Sequence, residues 1–239
     1  MNSTIEQVKR ILRIFKIYHR YSVKGINKFP LDCGVLLVTN HSLATYDGFL
    51  LGLEILEKTG RLSRGLGDDL LFQIPVLKNW CSDIGLVPAS NDNAKKLLRQ
   101  KEVLGVAPGG MREALRPSAQ RYELKWAKRK GFVKLAISEQ APIVLAACPN
   151  ADRIFKVYES FFTAFLYKKF RIPVPFFKGY ALSAIPRPVK LTHYLSDPIL
   201  PPKVDANAPI SQEVVDEFHQ YLIHRMKSLM ANVDHHTIV

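Results

Sequence analysis

The sequence predicts one α/β domain with a mostly parallel central sheet flanked by helices. Three observations carry that prediction. From residue 34 onward, short apolar runs of strand length alternate with stretches of helical period, the pattern of successive β-α units. At 239 residues, 47% hydrophobic and 23% charged, the chain has an ordinary folded composition and the length to bury a large core. Its three cysteines, Cys33, Cys81 and Cys148, lie far apart with no Cys-x-x-Cys pair, so neither a disulfide framework nor a zinc knuckle replaces that core.

Residues 3–24 read as a single helix, with Ser3 and Glu6 in capping-box spacing and Gly25 and Pro30 as the stop. Ile5, Val8, Ile11, Leu12, Ile14, Phe15 and Tyr18 share one half of its wheel, and Lys9, Arg10, Arg13, Lys16, Arg20 and Lys24 the other. Such a helix either packs on its own domain with a solvated basic back or lies in a lipid interface, where each Lys or Arg contributes roughly 1 kcal/mol near an anionic surface. Strands are expected at 35–39, 64–67, 86–88, 103–107, 142–147 and 190–194. Helices are expected at 48–59, 70–81, 91–100, 132–140 and 212–230, the last with Val214, Val215, Phe218, Leu222, Met226 and Leu229 at helical spacing. Residues 154–180 are rich in aromatics interleaved with Lys and Arg, which suits a core subregion, an interfacial membrane patch or a base-stacking surface. Asp234, His235 and His236 read as a frayed polar terminus.

Lys and Arg number 34 against 21 Asp and Glu, a net charge of +13, which calls for an anionic partner: nucleic acid, a membrane face or a phosphorylated substrate. No RNA-binding signature is present, which disfavours the first. No run approaches the ~18 apolar residues of a membrane-spanning helix, and charges interrupt the N-terminal apolar residues where a signal peptide would have its uncharged core.

Two constellations could carry chemistry, each directly after an expected strand, where α/β sheets bind ligands. In the first, Thr39-Asn40-His41-Ser42-Leu43-Ala44-Thr45-Tyr46-Asp47-Gly48, an imidazole with a carboxylate partner suits general base catalysis on an alcohol. The plain alternative is a helix-capping His41 and a surface Asp47. In the second, Pro108-Gly109-Gly110-Met111-Arg112-Glu113, two glycines let backbone amides approach an anion, and Arg112 offers a planar fork. Its plain alternative is a tight turn. Walker, Gly-x-Gly-x-x-Gly and Gly-x-Ser-x-Gly motifs are absent, which disfavours nucleotide chemistry and an acyl-serine intermediate.

The two blocks in this order, about seventy residues apart, resemble the glycerolipid acyltransferase superfamily that includes lysophosphatidic acid and diacylglycerol acyltransferases. His41 and Asp47, with Asn40 in front, match its base and acid. Pro108, Gly110 and Arg112 match its Pro-Glu-Gly-Thr-Arg-Ser acceptor block. Residues 84–88 and 141–145 match two weaker blocks. Two departures stand out. Five residues separate His41 from Asp47 where the family usually has four, and Gly109, Met111 and Glu113 resemble the neutral-lipid branch more than the phosphatidic-acid branch.

The resemblance implies a glycerolphosphate acyltransferase-like fold at 31–239 behind a basic, membrane-docking helix at 1–30. It implies transfer of an acyl group from acyl-CoA or acyl carrier protein, as co-substrate, to a lipid alcohol such as a lysophospholipid or diacylglycerol. No metal or other cofactor and no nucleic acid enter that reading. His41 and Asp47 are then the catalytic pair, and Gly109, Gly110, Arg112 and Glu113 bind the acceptor or its phosphate. Amides near Gly109 and Gly110 would meet the oxyanion, and Ile11, Arg13, Phe15 and Lys16 would dock on an anionic membrane at its cytoplasmic face. A catalytically degenerate, lipid-binding member of the same fold is the alternative.

Overall fold

The computed structural model describes residues 3–67, 72–73, 79, 81–126, 128–161, 163, 165, 169, 174–205 and 209–232. Its elements are α1 (Ser3–Tyr18), β1 (Ser22–Lys24), β2 (Val35–Thr39), α2 (Tyr46–Thr59), β3 (Ser63–Gly67), β4 (Leu86–Pro88), α3 (Asn91–Arg99), β5 (Val103–Val106), α4 (Gly110–Ala114), α5 (Gly131–Glu139), β6 (Ile143–Ala147), β7 (Lys156–Val157), β8 (Phe177–Lys178), β9 (Thr192–Leu195) and α6 (Gln212–Met230). The helix expected at 70–81 and the tail at 234–236 lie largely or wholly outside the described residues.

Seven strands form one sheet in the order β1-β9-β6-β2-β5-β3-β4. The five from β6 to β4 run parallel, while β9 is antiparallel to β6 and parallel to β1. The chain leaves β2 toward one side for β3 and β4, returns through β5, and then places β6 on β2's other side. Loops at the carboxyl end of β2 therefore sit at a switch point, where a crevice opens.

Successive strand residues point to opposite faces, and both faces are covered. Leu36, Val38, Leu104, Ile143 and Leu145 pack with Val133 and Ile137 of α5 and Phe218, Leu222 and Met226 of α6. Val35, Leu37, Val103 and Val144 pack instead with Leu51 and Ile55 of α2. The apolar spacing expected of α6 is the one it buries, and Ser211 caps it by accepting the Val214 amide at 3.2 Å.

The N-terminal segment departs from expectation. The helix stops at Tyr18 and not at residue 24, because Arg20 turns into the left-handed region (φ 44) and the Ser22 amide donates to the Leu191 carbonyl at 3.1 Å. Residues 22–24, expected to belong to the helix, thereby become an edge strand beside β9.

Candidate active site

β2 and β6 end together, and Asn40 extends their ladder by one rung. Its Oδ1 accepts the Cys148 amide at 2.8 Å and its Nδ2 donates to the Cys148 carbonyl at 3.4 Å. The backbone is thus fixed up to the residue before His41. His41 itself is held from both sides: its amide donates to Glu113 Oε1 at 2.7 Å, and its carbonyl accepts from Arg116 Nη2 at 3.5 Å.

The ring is half-buried, with Nδ1 3.0 Å from the Ser42 carbonyl. A carbonyl can only accept, so Nδ1 carries the proton and Nε2 keeps its lone pair. Burial lowers the ring's pKa below its ordinary value, and Arg116 acts in the same direction. His41 is therefore a neutral imidazole at pH 7 with a defined basic nitrogen.

Asp47 does not touch that ring. The extra residue in the spacer is taken up by a tight turn in which Thr45 adopts φ 54, a conformation that costs a β-branched residue about 1–3 kcal/mol. The turn carries Asp47 inward to the first turn of α2, where its Oδ1 accepts the Ser42 hydroxyl at 3.0 Å. Acid and base are joined through one residue: Ser42 receives the His41 proton on its carbonyl and gives its hydroxyl to Asp47. Burial pushes the Asp47 carboxyl up to about 6, against the Ser42 hydroxyl and the amides of α2.

Behind Asp47 lie Cys148 and His193. The three supply ligand-type atoms all within 4.8 Å of one another, and among the described residues they are the one such trio that could hold a metal ion. His193 Nδ1 meets the Tyr21 hydroxyl at 2.9 Å, while its Nε2 is buried without a partner. Burial alone holds this ring down to about 3, so it is neutral. Nearby, His19 Nδ1 donates to the Val189 carbonyl at 2.8 Å, so its Nε2 accepts the Tyr46 hydroxyl at 2.7 Å. The chain after α1 thus supports the acid-bearing turn through residues that sequence spacing did not single out.

In the double-glycine block, the Glu113 carboxylate and the Gly110 amide are taken up by contacts within the protein. Glu113, which the resemblance places at the acceptor, is 1% exposed, and its carboxylate accepts the amides of His41 and, at 2.8 Å, Lys125. Burial raises its pKa, against those two amides and the Arg116 guanidinium 3.8 Å away. Arg116 in turn bonds both oxygens of Asp152. Gly109 is required because a Cβ there would lie 2.1 Å from Glu113 Oε2. Gly110 sits at φ 52, and its amide donates to the Ala107 carbonyl at 3.0 Å, so that amide serves the turn and not an oxyanion. Arg112 is exposed on α4, and neither it nor the two glycines line the cavity beside His41.

That cavity has an empty volume, open mouth included, of about 1290 Å³ and is lined by His41, Thr39 and Asp47 at one end and by Ser63 at the other. Leu37, Gly105 and Gly65 lie level across three strands, and Ser63 is level with Val35. The space therefore extends along the sheet by roughly 13 Å, four strand residues. Missing side chains create it. Gly48 and Gly52, one turn apart on α2, face it with nothing within 4 Å of a Cβ at 48 and only Ser63 Cβ, 3.8 Å away, at 52. Each glycine inside a helix costs about 1 kcal/mol relative to alanine. Val8, Lys9 and Leu12 of α1 form part of the wall.

The expected docking residues divide. Lys16 Nζ lies 2.5 Å from Glu54 and 2.8 Å from Glu57 of α2, and Arg13 lies 3.2 Å from Glu57. Lys16 is turned toward α2, while the Arg13 side chain stays 56% exposed. The Lys16 hydrogen bond holds the Glu57 carboxyl below its usual range. Phe15 packs against the Tyr46 ring, centroids 4.9 Å apart. Ile11 stays exposed with Ile14, Ile17 and Tyr18, reaching 79% at Ile17.

A mostly parallel sheet thus sets an imidazole at its switch point beside a cavity with largely apolar walls. The crystal structure of the 1-acyl-sn-glycerophosphate (LPA) acyltransferase PlsC from Thermotoga maritima superposes with a TM-score of 0.57 over 96% of this chain and 80% of that one, at 14% identity, and so has the same fold. The family model "Diacylglycerol acyltransferase" matches residues 65–239, and the chain belongs to that family. The match begins after the His41–Asp47 block. Proteins named "DGAT1/2-independent enzyme synthesizing storage lipids" are 29% identical over 91% of this chain in Bos taurus and 31% identical over 77% of it in Homo sapiens. The chain spans 63% and 55% of the lengths of those relatives. Among the described residues no helix is long and apolar enough to cross a membrane.

Proposed function

We propose that the protein is an O-acyltransferase that moves a fatty acyl group from acyl-CoA or acyl carrier protein to a lipid alcohol, with diacylglycerol as the first acceptor to test. The carrying observation is His41: a neutral ring, its Nδ1 proton tied to the Ser42 carbonyl, on the wall of a deep apolar cavity. As the acceptor hydroxyl attacks the thioester carbonyl, Nε2 takes its proton. The tetrahedral intermediate collapses with loss of the thiolate, which takes the proton back from the imidazolium to leave an ester and a free thiol. Asp47, through Ser42, favours the transient cation. The storage-lipid names of the relatives and the Gly109–Glu113 departures both support a neutral acceptor. For an acceptor that carries phosphate, Lys9 and Arg64 on the cavity wall and Arg112, exposed at the same end of the sheet, are the cations at hand. The test is thiol release from acyl-CoA with diacylglycerol or a lysophospholipid, wild type against His41→Ala.

The acyl chain occupies the cavity between α2 and the sheet. Gly52→Leu is expected to fill it and to shift preference toward shorter acyl-CoA donors, with the longest chains losing rate first. The same change removes a mid-helix glycine, which favours α2 by about 0.8 kcal/mol, so a loss of long-chain activity without a fall in melting temperature separates occlusion from unfolding. An unchanged chain-length profile would place the acyl chain elsewhere.

Lipid substrates require docking on a bilayer. The surface that fits is apolar: Ile14 and Ile17 of α1, Leu182 and Ile185 of the loop before β9, and Phe161 and Phe176 are all exposed. The Tyr18 hydroxyl donates to the Pro186 carbonyl at 2.6 Å, which joins the first two groups into one face. Ile14→Gln with Ile17→Gln is expected to reduce flotation with phosphatidylcholine vesicles, and undiminished flotation would rule the face out.

A further inference from the structure

A second cavity lies beside the loop that leads from β8 toward β9, and it shares no lining residue with the one at His41. Its wall is strongly basic. Arg121, Arg153, Lys178 and Arg187 line it, and no acidic side chain does among the described residues. Like charges gathered round one hollow favour an anion among them. One donor already lacks a partner: Arg121 Nε is buried without a hydrogen bond. The neighbouring groups are held in place, with Arg187 Nε donating to the Gly179 carbonyl at 3.3 Å and Lys178 Nζ 5.9 Å from the centre of the Tyr158 ring.

The backbone that closes the cavity is strained. Ala181 and Leu182, both lining residues, adopt φ 46 and φ 65, left-handed conformations that cost a non-glycine residue about 1–2 kcal/mol each. Position 179 admits only glycine, since a Cβ there would lie 1.8 Å from the Ile185 carbonyl oxygen. Strain of this kind persists where the surroundings fix it and concentrates at ligand clamps. The loop also presents apolar side chains outward next to the charges, with Leu182 77% exposed and Ile185 58%.

Arg forks and a Lys around an unpaired donor suit a phosphate, whose oxygens accept in several directions. The apolar rim decides the source. A soluble phosphate needs no exposed leucine and isoleucine around it, whereas a headgroup at a bilayer surface brings the acyl region those side chains can enter. We propose that this cavity binds the phosphate headgroup of an anionic phospholipid in the membrane on which the protein docks. The proposal rests on the membrane-docking reading and adds to it a specific seat, separate from the acceptor and acyl sites.

The test is flotation of the full chain with vesicles of phosphatidylcholine alone, and with phosphatidic acid or phosphatidylserine added at matched surface charge. Wild type is expected to bind the phosphatidic acid vesicles most tightly. Arg121→Gln with Lys178→Gln should weaken that binding by about fivefold per cation and about 25-fold for the pair, and should abolish the preference over phosphatidylserine. Binding to phosphatidylcholine alone should not change, which also reports that the variant is folded. Arg225→Gln with Lys227→Gln, exposed cations on α6, removes the same charge and should have little effect. Equal losses in the two double variants would mean a diffuse field and overturn the seat. Displacement of wild type by inorganic phosphate would make the ligand a soluble anion and overturn the headgroup assignment. If wild type floats with no vesicle at all, the docking reading itself fails.

Discussion

His41→Ala is expected to lower thiol release from acyl-CoA by about 10²–10⁴-fold while leaving the fold intact, the range general base catalysis typically contributes. The fold should survive because the contacts that hold this position are made by its backbone. The amide reaches Glu113 and the carbonyl reaches Arg116 whatever the side chain. The ring's own bond is to its neighbour's carbonyl, so its removal breaks no contact between distant parts of the chain. A pH profile adds an independent reading. Burial places the ring's pKa below the ordinary histidine value, and Asp47 titrates at about 6, so the rate should rise with pH through the region around and below 6 and then level off. Equal rates for wild type and variant would leave a lipid-binding member of the family without this chemistry.

The parts of the fold legible in the sequence are those set by local periodicity. Val35 to Val38 are buried on both faces of the sheet, and such a strand declares itself as an unbroken apolar run. β1 does not. Ser22, Val23 and Lys24 have no strand pattern, and they form one because the edge of β9 offers unpaired groups to the Ser22 amide. The helical wheel of α1 separates an apolar from a basic half, but the face that meets the protein cuts across both: Leu12 and Phe15 pack inward beside Lys16, while Ile11 and Ile14 stay exposed. The missing information was on α2, where Glu54 and Glu57, three apart, present acids to Lys16 and Arg13. Similarly, a double glycine beside an arginine reads as an anion cradle when seen alone. Its real constraint is the Glu113 carboxylate, whose partner amide at His41 is 72 residues away. The cavity did leave a trace: glycines at 48 and 52 are poor choices for a helix unless space is wanted there.

Asp47→Asn should separate catalysis from stability. The carboxyl is buried at the start of α2 beside Cys148 and His193, and its pKa rises from 3.8 to about 6 on folding. An acid whose pKa is raised in the folded state has no effect on folding while both states hold its proton, and disfavours folding as the unfolded chain ionises. Below 3.8 both states hold the proton and the group is neutral in its effect; between 3.8 and 6 the unfolded chain ionises first, and above 6 the whole penalty is present. At neutral pH the native charge therefore costs about 3 kcal/mol, at 1.36 kcal/mol per pKa unit. An asparagine escapes that cost. Its oxygen can still accept the Ser42 hydroxyl, and its amide can donate toward the unpartnered His193 Nε2. The variant is expected to melt higher than wild type near pH 8, with an advantage that shrinks as pH falls from 6 toward 4, and to release thiol more slowly because no negative charge remains behind Ser42 to favour the His41 imidazolium. If the variant melts lower than wild type near pH 8, the ionised carboxylate is a stabilising group, and its burial next to the catalytic loop is not a sacrifice of stability to function.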